Sequence, residues 1–267
     1  NLGVHAWHVK KNLQDAAGFF EKAVELAPDE YRLYVDLDEI YAQLGDTARR
    51  EKLFANAPAV VLARDTVRVR RTLLLVEQKR YQEALGLLKD HRFKPWEGGV
   101  GVRQAYVACN LEQGRAALAA AKHSEAAEAF RRATEYPENL GVGKPHEPHD
   151  EEAFYWLGEA SRAAGNSEDA RRAWERAAKD GKHASAAEQA FQAAALAKLG
   201  RSEESQKLYA ALMDALSGEA PGASTFYAAG VLEMLGGRSE QASQYFRRAL
   251  ELDPAFWPAR LELERAK

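Results

Sequence analysis

The strongest constraint on this chain is a short signature that returns along almost its whole length: a small residue, an aromatic four positions later and a small residue three beyond it. It occurs at Ala16/Phe20/Ala23, Ala126/Phe130/Ala133, Ala170/Trp174/Ala177 and Ala242/Phe246/Ala249. Weaker copies fall at Arg50/Phe54/Ala57, Ala84/Leu88/His91 and Ser205/Tyr209/Leu212. The anchors at 16, 50 and 84 are 34 residues apart, and the later steps are 42, 44, 35 and 37. A period of this size marks one supersecondary unit that cannot bury its apolar face alone and stacks on copies of itself.

The unit is clearest at residues 223–254. Phe226, Tyr227, Gly230 and Val231 recur at helical spacing, Gly236-Gly237 interrupts, and Ala242, Phe246, Ala249 and Leu250 resume the period before Pro254 ends it. Two amphipathic helices and a tight turn follow. Gly230 and Ala242 let the backbones approach, while Phe226 and Phe246 fill the space around the crossing. Arg50 stands where a small residue is usual, so the second pair should cross more loosely or bend.

The 34-residue step, with Leu157-Gly158, Tyr41, Ala170, Trp174, Pro28 and Pro254 at matching positions, resembles tetratricopeptide repeats. That resemblance implies an all-α, α-α superhelix: a single solenoid over residues 1–267 with about seven helix pairs and a C-terminal capping helix. It also implies a protein-binding scaffold.

Composition narrows the function. With 37 basic and 40 acidic residues the net charge is −3, which gives no general attraction for nucleic acid or anionic lipid. The single cysteine, Cys109, excludes an internal disulfide framework and is expected to pack inside a helix. No apolar run is long enough to span a bilayer. No signal peptide is expected from the opening residues, and the compartment stays open with the cytoplasm favoured. Because the sequence begins inside what reads as a first helix, it is expected to be the C-terminal part of a longer protein.

Two inserts break the pattern, HRFKPWEGGVG at 91–101 and YPENLGVGKPHEPHD at 136–150, where prolines and glycines are read as forbidding helix. Both join the second helix of one repeat to the first of the next, so they should share one rim, about 10 Å apart. Structured loops on a rigid scaffold carry function, which makes Phe93, Lys94, Trp96, Glu97, Tyr136, Glu138 and Asn139 candidate partner-binding residues. The blocks FKPWEGG and YPENLGVGK resemble paired motifs of bacterial tetratricopeptide proteins that carry an N-terminal β-rich domain of unknown function. In that pattern a Glu follows the Gly pair, where this chain has Val100. The resemblance implies docking on the protein's own N-terminal domain.

The concave face is the other candidate surface, with Arg32, Glu39, Arg115, Tyr155, Glu159 and Arg162 as partner-binding residues. The Lys/Asn clamp that some tetratricopeptide proteins use for a terminal carboxylate is missing, since Val35/Glu39 and Val69/Leu73 hold its positions. No catalytic residue, cofactor or metal is expected. GGVG lacks the Lys-Ser/Thr of a nucleotide loop, and no nucleophile elbow is present. His146-x-x-His149 with Asp150 and Glu151 offers zinc-type ligands, but prolines break the helical spacing and no second ligand pair lies nearby in sequence. Two alternatives to a protein scaffold stay open. One is an accessory half of a carbohydrate-active enzyme, with Glu97 and Glu138 as paired carboxylates and Phe93 and Trp96 stacking on a sugar. The other is a phosphate-binding surface at Arg68, Arg70 and Arg71.

Overall fold

A computed structural model describes residues 2–95, 99–179, 184–218 and 220–265. Every regular element among them is a helix, as an all-α fold requires. The helices pack as two compact units, Asn1–Tyr106 with Pro137–Val142, and Val107–Tyr136 with Gly143–Lys267.

In the first unit, α1 (Leu2–Val4) runs into a π-helical turn (His5–Val9) and pairs with α2 (Leu13–Leu26). The next pair is α3 (Tyr31–Gln43) and α4 (Thr47–Ala55). A short helix α5 (Ala59–Leu62) precedes the third pair, α6 (Asp65–Glu77) and α7 (Tyr81–Lys89). The long helix α8 (Gly99–Ala119) starts in this unit and ends in the second. There it pairs with α9 (His123–Ala133), and α10 (Glu151–Ala163) with α11 (Ser167–Ala177). The last two pairs are α12 (Ala186–Lys198) with α13 (Ser202–Ala215) and α14 (Ala223–Leu235) with α15 (Ser239–Leu252), before a final helix α16 (Trp257–Arg265).

Each hairpin turn contains one left-handed residue: Lys11, Gly45, Lys79, Ala121, Gly165, Gly200 or Gly237, with φ between 54° and 84°. Each lies five positions before a repeat anchor, so the sequence period is the period of the turn. Glycine takes this conformation without steric cost. Lys11, Lys79 and Ala121 take it against their preference, and the third turn forms without the glycine that marks four of the others.

The small-residue expectation holds where it can be measured. A Cβ added to Gly114 would lie 2.6 Å from Phe130, and one added to Gly158 or Gly230 would collide with Trp174 or Phe246. Ala126, Ala170 and Ala242 on the facing helices are at most 1% exposed. Cys109 is fully buried, and burial pushes its thiol up to about 12, so it packs as a small apolar group.

One expectation changes. The first insert is shorter than 91–101, because α8 already begins at Gly99. Glycine costs a helix only about 1 kcal/mol, unlike proline, and the first turn leaves its N–H groups unpaired anyway. Arg50, where a small residue is usual, is accommodated by pairing. It turns inward, 3% exposed, with Nε 2.8 Å from Oδ1 of the fully buried Asp38 and Nη1 2.9 Å from Glu77 Oε1. Arg70 closes the network on Asp38 at 2.5 Å and Glu39 at 2.6 Å. With Arg70 paired and Arg68 Nη1 donating to the Leu87 carbonyl at 3.2 Å, the basic cluster of α6 is partly buried instead of solvated.

Candidate functional site

The two inserts meet within the first unit. The Phe93 N–H donates to the Asn139 carbonyl at 2.8 Å, and the Asn139 side-chain amide donates to the carbonyls of Leu88 at 2.9 Å and His91 at 3.0 Å. Pro137 leads into a single 3-10 turn, Glu138–Leu140, which ends in left-handed Gly141. A Cβ at Gly141 would stand 2.7 Å from the Phe93 carbonyl oxygen, so both the turn and the close approach require glycine there.

The first insert is also fixed to α6. Asp65, 4% exposed, has Oδ1 2.6 Å from His91 Nε2 and accepts the Lys94 N–H at 2.9 Å on Oδ2. Phe93 is 2% exposed and meets the His91 ring edge-on at 4.7 Å, so it pins the loop and does not offer surface. What faces outward is charged. Arg92 and Glu138 are 3.7 Å apart with side chains 83% and 95% exposed, and Lys94 is exposed beside them. Trp96 and Glu97 lie outside the described residues, so the Glu97–Glu138 carboxylate pair has no geometry. Tyr136 belongs to the second unit, half-buried, with the Lys144 ammonium 5.9 Å from its ring.

The concave-face residues divide in the same way. In the first unit Arg32 is exposed, its guanidinium 5.7 Å from the Tyr31 ring, while Glu39 is taken up by Arg70. In the second unit Arg162 is exposed and pairs with Glu159 at 3.0 Å, and Glu159 also meets Lys198 at 2.9 Å. Tyr155 is 3% exposed, packed against Trp156 and Phe191, and burial raises its phenol well above the ordinary range. Arg115 is committed to its own chain. Its guanidinium holds both oxygens of Glu262 at 2.5 and 2.9 Å and lies 4.8 Å from the Trp156 ring. Arg265 of α16 completes the cluster by pairing with Glu262 at 2.8 Å and with Glu112. Burial pushes the adjacent Glu152 carboxyl up to about 7, against the pull of Arg115.

Sequence reasoning missed Asp65, Glu112, Glu188 and Glu262. Asp65 and Glu188 stand in the first turns of α6 and α12, where an acid reads as a helix start. Glu262, in a charged terminal helix, reads as solvated. Only the tertiary structure brings it to Arg115.

Parts of this chain match a known repeat family, and known structures are similar to it. Family profiles for the tetratricopeptide repeat match residues 111–186 and 223–256. A tetratricopeptide repeat protein from Parabacteroides merdae is similar at 14% identity, covering 96% of this chain and 93% of that one, with a TM-score of 0.49. PilW, a widely conserved type IV pilus biogenesis factor, is similar at 14% identity over 99% of this chain and 94% of its own, with a TM-score of 0.43. Yeast Tom70 is similar at 14% identity, covering 96% of this chain but 51% of that one, with a TM-score of 0.47. Between residues 111–186 and again over 223–256, this chain is built of tetratricopeptide repeats.

Proposed function

We propose that the protein is a non-catalytic interaction scaffold that docks a protein partner on the platform formed by its two inserts in the first unit. The observation that carries this reading is the mutual bracing of the inserts by Phe93, Asn139, Gly141 and Asp65, which fixes a pair of loops that would otherwise be free. Loops held this firmly lose little further entropy on binding. Arg92, Lys94 and Glu138 present charge of both signs at the top, which suits a polar protein surface better than an apolar ligand. Tetratricopeptide repeats are generally protein-binding scaffolds, and that general role is consistent with the platform.

Site-specific photo-crosslinking tests it. A photoreactive residue replacing Lys94 in the native host should yield one discrete protein adduct, absent when the same residue replaces exposed Lys207 on α13. Arg92→Glu combined with Glu138→Arg should abolish the adduct while leaving the helical circular dichroism intact. Equal labelling at both positions, or an adduct indifferent to the charge reversal, would remove the platform as the docking site.

A further inference from the structure

The second unit contains one arrangement that a scaffold does not need. His149, Glu151 and Glu188 each place a ligand atom within 4.8 Å of the others. They come from the end of the second insert, the first turn of α10 and the first turn of α12. His149 Nδ1 lies 3.5 Å from Glu188 Oε2, close to the edge of about 3.4 Å expected between two ligands of a tetrahedral ion with bonds near 2.1 Å.

Helix-terminal electrostatics explain only part of this. Glu188 closes a capping box, accepting the Ser185 N–H at 2.5 Å while the Ser185 hydroxyl accepts the Glu188 N–H. Glu151 has no such role. It is 8% exposed, and its Oε2 is buried with no hydrogen-bond partner. A buried carboxylate oxygen without a donor is costly, and a second carboxylate beside it adds repulsion. A cation among the three groups would relieve both. A cavity lined by His146, His149, Asp150, Glu151, Arg176 and Lys179 among others adjoins two of the three groups. His149 is held at φ 23°, which an L residue keeps only when its surroundings hold it.

We infer that His149, Glu151 and Glu188 form a site for a divalent transition cation, zinc being the best match, that clips the second insert to the starts of α10 and α12. One imidazole and two carboxylates suit zinc-type ions better than calcium, which prefers six or more oxygens. Glu188 is invisible to motif reading because it stands 37 residues beyond Glu151.

The test uses the full chain, free of any affinity tag, stripped with chelator and titrated calorimetrically with zinc at neutral pH. One zinc per chain should bind, with affinity falling at least about tenfold in each of His149→Gln, Glu151→Gln and Glu188→Gln. The Gln at 188 still accepts the Ser185 N–H, so the capping box survives. His5→Gln with His8→Gln, in the π-helical turn after α1, should leave binding unchanged. In the unmodified chain zinc should raise Tm, and chelator should reverse the rise. No stoichiometric uptake and no zinc-dependent rise in Tm would overturn the site whatever the variants do. So would uptake that survives Glu151→Gln or disappears with the His5/His8 pair.

Discussion

Glycine occupies two kinds of place in these helices, and the difference predicts opposite signs for the same substitution. Gly158 faces Trp174 so closely that a methyl group has no room, whereas Gly86 in α7 and Gly18 in α2 have nothing within 4 Å of where a Cβ would go. Gly86→Ala and Gly18→Ala should each stabilise, by up to about 1 kcal/mol, because alanine restricts the unfolded chain and suits a helix interior. Gly158→Ala should destabilise by up to about 2 kcal/mol, the overpacking cost of about 1–3 kcal/mol less a propensity gain of about 1 kcal/mol. Urea denaturation of the three variants decides it, and equal signs would mean the close approach does not exist. Gly158 was legible in the sequence because it keeps a fixed distance from the aromatic of the next helix. The partner of Arg50 was hidden for the complementary reason. The register position of Arg50 signals a crossing, but the fully buried Asp38 that neutralises it is twelve residues away with no periodic relation to it.

At the level of elements, helix pairs, turns and order follow from local periodicity, so residues 13–89 and 151–252 fold much as the pattern requires. Helix α16 does not belong to that pattern. Its Glu262, 2% exposed, is bound by Arg115 on α8, 147 residues earlier. Local sequence carries no signal for such a pairing, which forms only when the intervening hairpins have stacked. Glu262→Ala should therefore cost about 3–5 kcal/mol, since it strands a guanidinium whose side chain is 9% exposed with the more distant Glu112 and Glu152. Arg115→Met with Glu262→Leu should recover most of that loss by replacing the ion pair with apolar contact. A double-mutant cycle measures the coupling. Strictly additive single effects would show that the pair does not hold α16 in place.

For the whole molecule, the question is where the positive charge goes. The chain carries 37 lysines and arginines, enough for a polyanion site if they were gathered on one face. They are interleaved with acids instead. Arg50 and Arg70 are paired in the first unit and Arg115 in the second. Arg131–Glu128, Arg172–Glu168 and Arg248–Glu251 pair along single helices, and Arg80–Glu83 and Arg201–Glu204 pair from a helix N-cap to its first turn. A cation already paired releases few counterions when it approaches a phosphate, and the net charge of −3 opposes the approach. The cluster at Arg68, Arg70 and Arg71 seemed the exception in sequence, yet Arg70 bridges Asp38 and Glu39 and Arg68 caps a backbone carbonyl. Titration of a labelled single-stranded oligonucleotide at low salt should accordingly show no saturation below about 100 µM, the weak end of ordinary non-specific binding. Micromolar binding with a log–log salt slope of about −2 or steeper would require several phosphates to be neutralised at once. That result would show that the ion pairs open to admit a polyanion and are not fixed parts of the fold.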